Sequence, residues 1–160
     1  MSVPYPPQEA RMIEYKTYTV TNTLTYLEKE RLVHFLFKHL DQYGDRKEDI
    51  LKAIEYANDP HGHKGGYILQ AHKDDEIVGA VVINKTGMSG YIPENILVYI
   101  AVDSQQRGHG IGHELMKRAL DIAKGQVALH VEPDNPARKL YEKMGFTNKY
   151  LEMRYDPSNR

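Results

Sequence analysis

An apolar, β-branched run, Ile96-Leu-Val-Tyr-Ile-Ala-Val102, is followed a few residues later by Arg107-Gly-His-Gly-Ile-Gly112 and then by a helical pattern. A strand that turns sharply into a helix constrains this chain more than any other feature. Gly108, Gly110 and Gly112 alternate, so the backbone there can turn tightly and approach a bound group with no Cβ in between. Behind them the start of a helix offers unpaired N–H groups and a partial positive charge, which suits an anion such as a phosphate. Arg107 adds a formal charge at the mouth. The same residues also suit a tight turn with no ligand, and the loop alone does not separate the two readings.

The remainder of the chain predicts a single domain, residues 13–156, behind a flexible arm, residues 1–12, that carries Pro4, Pro6 and Pro7. Its 160 residues, 41% of them hydrophobic, suffice for one core. The formal net charge is −1 and basic residues are spread along the chain, so bulk electrostatics point to neither a nucleic-acid partner nor a membrane. The absence of cysteine excludes a disulfide scaffold, a thiolate metal site and a cysteine nucleophile. No stretch approaches the roughly 20 apolar residues of a membrane span, and no signal peptide is visible. The expectation is a cytoplasmic protein, a monomer or a homodimer.

Hydrophobic spacing orders the elements. Residues 14–20 alternate as a strand, and Leu32, Leu36 and Leu40 recur at helical spacing within 24–40. Asp45 and Glu48 form a capping-box pattern ahead of a second helix over 45–57. A polar loop over 59–66 precedes a predicted hairpin, 67–72 and 76–84. After the glycine loop come a helix over 111–124 and a short strand over 126–131. Asn135 and Pro136 then read as the cap and first residue of another helix, which stops at Gly145. Residues 150–155 read as a final strand. The order β-α-α-β-β-β-α-β-α-β predicts a layered α/β (α+β) sheet, antiparallel at first, with a parallel crossover around the glycine loop.

Two segments stand together in this order: strand, glycine loop and helix, then strand and Asn135-Pro-Ala-Arg-Lys-Leu-Tyr-Glu-Lys-Met-Gly-Phe146. The pairing resembles the GNAT superfamily of N-acetyltransferases. Arg107-x-x-Gly110-x-Gly112 is similar to that family's Arg/Gln-x-x-Gly-x-Gly/Ala signature, and 135–146 is similar to its closing Asn…Ala…Leu-Tyr-Glu-Lys…Gly-Phe segment. A register beginning at Gln105 also fits; the Arg107 register places the second glycine of the signature directly at the helix start. The resemblance implies a mixed, mostly antiparallel six- to seven-stranded sheet flanked by helices, with the last hairpin here reduced to one strand. It implies acetyl-CoA as acyl donor, with the pyrophosphate held by Arg107, Gly108, His109, Gly110, Ile111, Gly112 and His113. The pantetheine arm would pair with the backbone of Ile100, Ala101 and Val102, and Asn135 and Tyr141 would touch the cofactor. One departure stands out: Asn135 and Ala137 lie one residue closer than the commoner family spacing, so Asp134 is an alternative for the asparagine position.

Acetyl transfer to an amine needs a base for the amine proton and a proton for the departing thiolate. An alkylamine, with a pKa near ~10.4, arrives protonated. The resemblance gives Tyr141 the thiolate; its position on the apolar stripe with Ala137 and Met144 also suits a core aromatic. His130 is one candidate base, at a place where some relatives that acetylate protein N-termini carry glutamate, and imidazole side chains titrate near neutral pH. Val127, Leu129 and Val131 would face the other side of the strand, so His130 is equally a solvated residue. Glu94 is the second candidate base or a loop carboxylate, and Tyr99 either lines the acceptor cleft or packs. His61 with His63, and His109 with His113, have ligand-like spacing but no evident third ligand, so no metal is expected. The function expected is an enzyme, an acetyl-CoA-dependent N-acetyltransferase acting by direct attack in a ternary complex. The amine-bearing acceptor is left open, small molecule or protein. The alternative is a non-catalytic acyl-CoA-binding sensor or interaction module. A nucleotide P-loop fits poorly, since the loop lacks its lysine and Ser/Thr.

Overall fold

The computed structural model describes residues 13–159. The expected N-terminal arm, residues 1–12, lies outside the described residues. In chain order the elements are β1 (Glu14–Tyr18), α1 (Tyr26–Leu40), α2 (Lys47–Asn58), β2 (Gly66–Lys73), β3 (Glu76–Lys85), β4 (Asn95–Val102), α3 (Ile111–Ile122), β5 (Val127–Ala128) and α4 (Arg138–Lys143). The strands form one sheet in the order β1-β2-β3-β4-β5, antiparallel through β4, with β5 parallel to β4. This is the expected mixed, mostly antiparallel sheet with flanking helices, built among the described residues from five strands rather than six or seven.

The missing strand is the last one. Residues 147–156 are exposed and take up no regular structure, and among the described residues they join no strand of the sheet. The predicted strand over 126–131 pairs only at Val127 and Ala128.

Two apolar faces of the sheet explain the layering. On one face Ile68, Val82 and Tyr99 meet Leu32 and Leu36 of α1 and Ile50 and Ile54 of α2. On the other, Leu69, Val81, Ile83 and Leu97 meet Ile111, Leu115 and Met116 of α3 and Tyr141 of α4. Gly79 lets α3 sit close, because a Cβ there would run into Leu115 and Ile111. The β2–β3 hairpin closes through Asp74 and Asp75, both at positive φ, the geometry a two-residue turn needs.

Helix starts depart from expectation. The capping box belongs to α1: the Thr25 hydroxyl accepts from the Glu28 amide, while the Glu28 carboxylate accepts from the Thr25 amide. Asp45 does not cap α2, which begins after Arg46 with no side-chain cap. Nor does α4 begin at Pro136. Asn135 caps a single tighter turn, its Oδ1 accepting from the Ala137 amide at 2.9 Å, and α-helix follows only from Arg138.

Candidate functional site

β4 carries the site. Its register with β3 slips between Val82, which faces Tyr99, and Ile83, which faces Leu97, so Val98 is an extra residue in a β-bulge. Val98 and Tyr99 consequently lean to the same face. On its other side β4 pairs with β5 only at Asn95 and Ile96. Beyond that point the outer edge of β4, with Ile100, Ala101 and Val102, has no strand partner among the described residues. Backbone groups left open along an interior strand call for a partner.

That open edge leads into the glycine loop. Asp103 accepts from the Gln105 amide at 2.9 Å and starts a short 3-10 turn, Ser104–Gln106. Gly108 and Gly110 have φ of +87° and +78°, and a Cβ at either would meet nothing within 4 Å. Conformation, not space, requires glycine at these two places. Gly112 differs: it has no positive φ, and a Cβ would make ordinary contact with Leu140 and Val102. No side chain caps α3, so the amides of its first turn are left without an intrahelical partner. Arg107, Gly108, His109 and Gly110 are exposed around this uncapped end. His39, near the end of α1, lies close enough to sense both Asp103 and Arg107. Its imidazole is nevertheless held below the ordinary histidine range, chiefly by burial.

Tyr141 packs beside the loop, since Leu140, its neighbour on α4, lies against Gly112. The Tyr141 ring is buried with Ile111, Leu115 and Met116 and sits 6.0 Å from the Phe146 ring, centroid to centroid. Burial pushes its phenol up to about 12. Its hydroxyl has no hydrogen-bond partner among the described residues. Asn135 is half-buried; its oxygen serves the turn, and its amide nitrogen makes no bond.

The two candidate bases are placed differently. His130 lies two residues beyond the last paired residue of β5, exposed, with Leu129 and Val131 packed toward the core on either side. Glu94 lies before β4, at its closed end. Its carboxylate accepts from the Gln126 amide at 2.7 Å and lies over Gly125. There it lines a separate cleft of about 370 Å³ with His63, Lys85 and Lys124. Residues 100–102 thus lie on the open edge of β4, 107–113 in the loop and helix start that follow it, and Tyr141 on the adjoining α4 after the turn at Asn135; His130 is exposed beyond the end of β5, and Glu94 lies at the other end of β4.

Two links across the opening carry no sequence signal. Tyr99 donates its hydroxyl proton to Asp45 Oδ2 at 2.6 Å, and Tyr43 donates to the Asp134 carbonyl at 3.3 Å. Together they hold the connector between α1 and α2 against β4 on one side and the β5–α4 loop on the other. His61 Nδ1 lies 2.8 Å from Asp59 Oδ1. Among the described residues no group of three His, Asp or Glu is placed to hold a metal, and no helix is long and apolar enough to cross a membrane.

Comparisons with known proteins agree with this geometry. N-alpha-acetyltransferase RimI of Mycobacterium tuberculosis is 35% identical over 98 residues, which is 60% of this chain and 59% of that protein, so the match spans less than two thirds of the relative. The solved structure of a GNAT-family acetyltransferase from Streptococcus pneumoniae TIGR4 superposes with a TM-score of 0.65 at 24% identity, covering 91% of this chain and 98% of that one. The aminoglycoside N-acetyltransferase AAC(6')-Iy, solved in complex with CoA, superposes with a TM-score of 0.64 at 16% identity over 91% of this chain and 96% of that one. These structural likenesses show the fold. The sequence profile described as the acetyltransferase (GNAT) family matches residues 25–146, which contain the bulged strand, the glycine loop and α4, and the chain belongs to that family.

Proposed function

We propose that this protein transfers an acetyl group from acetyl-CoA to an amine by direct attack in a ternary complex. One observation carries the reading: the unpaired edge of β4 runs straight into an uncapped helix start built on Gly108 and Gly110, with a phenol alongside. The residues fit the donor. The α3 amides and Arg107 suit a pyrophosphate, and the open backbone of 100–102 suits an amide-bearing arm. Bound there, acetyl-CoA supplies a thioester carbonyl carbon; as the C–N bond forms and the C–S bond breaks, the sulfur takes a proton. Tyr141 holds that proton: a phenol is protonated at neutral pH at its ordinary value of 10.0, and burial raises that value further. His130 or water takes the proton that leaves the amine.

The acceptor we favour is the α-amino group of a peptide. The relative in Mycobacterium tuberculosis is named an N-alpha-acetyltransferase. An α-amino group has a pKa of about 7.7–8.0, against roughly 10.4 for an alkylamine, so it demands far less of the base. That suits a cleft whose nearest candidate base is the exposed His130.

Thiol release with acetyl-CoA over a panel of peptides and alkylamines tests the proposal. Turnover favouring peptide N-termini supports it, and turnover only on alkylamines moves the acceptor assignment. Acetyl-CoA binding by calorimetry with no turnover on any amine points to a binding module. No binding at high micromolar concentration overturns the donor site.

A further inference from the structure

The closed end of β4 borders a cleft that acetyl transfer does not use. Its volume is about 370 Å³, and Tyr67, Lys85, Met88, Glu94 and Lys124 are among its lining residues. β4 is eight residues long, so the cleft and the glycine loop lie roughly 20 Å apart, at about 3.3 Å per residue. An occupant of one does not reach the other.

Hydrogen bonds pin the walls of this cleft. The Lys85 amide donates to the Gly65 carbonyl at 2.8 Å, and the Tyr56 hydroxyl donates to the Lys85 carbonyl at 2.7 Å. The Thr86 amide donates to the Glu94 carbonyl at 2.9 Å, and the Thr86 hydroxyl to the Pro93 carbonyl at 2.7 Å. Gly87 lets the two loops close up, since a Cβ there would run into His63. Asn95, 1% exposed, fixes the floor: its Nδ2 donates to the carbonyls of Lys124 at 2.9 Å and Gln126 at 3.2 Å. A cleft whose backbone is already held loses little freedom when it is filled.

The lining also carries charge without a counterpart. Lys85 comes from the end of β3 and Lys124 from the connector between α3 and β5. Neither makes an ion pair among the described residues, and Lys85 Nζ stands 5.0 Å from the centroid of the Tyr67 ring. Glu94 is the one carboxylate in the lining, and it already accepts the Gln126 amide at 2.7 Å. Two ammonium groups against one carboxylate leave a positive excess, which attracts an anion and opposes a metal cation or an amine. Half-buried Tyr67 and the neighbouring Met88 give the rest of a ligand an apolar surface. We infer that this cleft is a second ligand site, which takes a small organic anion: its carboxylate or phosphate monoester between Lys85 and Lys124, its apolar body against Tyr67 and Met88.

Proton–nitrogen NMR of the full chain with saturating CoA tests this, because CoA fills the other place suited to an anion, the loop at 107–113. Benzoate and phenyl phosphate, titrated separately, should shift the amide signals of 62–67, 85–88 and 124–126. Ligands this small should show dissociation constants on the order of 1 mM. A response to one and not the other supports the site and identifies its anion. Lys85→Met with Lys124→Met should weaken binding at least about 10-fold while CoA affinity holds. Glu94→Gln keeps an acceptor for the Gln126 amide but removes the charge, so binding should tighten roughly twofold. The cleft signals report on this site whether or not CoA binds elsewhere. The site is overturned if neither anion shifts them, if binding survives loss of both lysines, or if Glu94→Gln weakens it.

Discussion

Tyr99 and Asp45, fifty-four residues apart in sequence, meet at 2.6 Å across the opening between β4 and the connector that joins α1 to α2. The phenol sits on the residue that follows the Val98 bulge, and the bulge turns it toward α1 and α2. Burial first, and the acidic partner second, raise the Tyr99 phenol above the ordinary tyrosine range. Tyr99→Phe removes the bond while leaving the ring. Because Asp45 is exposed and is rehydrated once released, the expected loss is only about 1 kcal/mol, read as a lower urea midpoint. The connector should loosen as well, giving faster amide exchange over 41–46 with little change at β1 to β3. Equal acceleration everywhere would mean that the bond is part of the core and does not tether the connector.

Tyr141 offers a cleaner separation of chemistry from stability. Its hydroxyl has no partner among the described residues, so Tyr141→Phe strands no group there and should change folding stability by less than about 0.5 kcal/mol. Turnover should fall while the dissociation constant for acetyl-CoA stays nearly constant. The alkaline limb gives a second readout. Burial raises the folded phenol from 10.0 to about 12. Its contribution to stability is fully present below the unfolded value and is lost as pH climbs from about 10 through about 12. Tyr141→Phe should flatten that loss. A variant with wild-type turnover removes the phenol from the reaction.

The glycine loop, the strand before it and the helix after it were legible because each leaves a local signature: β-branched run, alternating glycines, helical spacing. Positions set by tertiary contact were not. Asp45 reads as a cap because Glu48 follows at capping-box spacing, yet its carboxylate goes to Tyr99 on another element. Thr25, with Glu28 at the same spacing, is the cap that forms. Nothing local distinguishes the two. The bulge at Val98 is equally silent, since an extra residue in a run of apolar side chains alters no pattern. Residues 150–155 show the reverse case: the alternation is present, but a strand also needs a neighbour, and among the described residues this segment joins no strand of the sheet.

Gly125 and Glu94 make a second structural pair, at the closed end of β4. Gly125 has φ of +96°, and a Cβ there would collide with the Glu94 carboxylate that accepts the Gln126 amide. Gly125→Ala should cost about 2 kcal/mol from backbone strain alone, with displacement of Glu94 added to it. Combining it with Glu94→Ala removes the collision but keeps the strain, so the double variant should cost less than the sum of the single ones. If Glu94 acts only as this staple, Glu94→Ala lowers stability and leaves the shape of the pH–rate profile intact. A lost basic limb would make it the base.

Acid stability should depend on a pair on β2, the buried Gln70 and the half-buried His72. His72 Nε2 lies 2.7 Å from Gln70 Oε1, an oxygen that only accepts, so Nε2 carries the proton. His72 Nδ1 and Gln70 Nε2 are both buried with no protein partner. Burial, chiefly, holds the His72 imidazole below its usual 6.5. A histidine depressed in the folded state contributes stability that is fully present above the unfolded value and is lost as pH falls through 6.5 toward the folded one. His39 adds to the slope in the same direction. The urea midpoint should therefore drop between pH 7.5 and 5.5, and His72→Phe should reduce but not abolish the drop. At pH 7.5 that single change strands Gln70 and should cost about 1–3 kcal/mol. Adding Gln70→Leu removes the stranded amide and should recover most of the loss. Failure of the double variant to recover would show that the pair is held by contacts other than its one hydrogen bond.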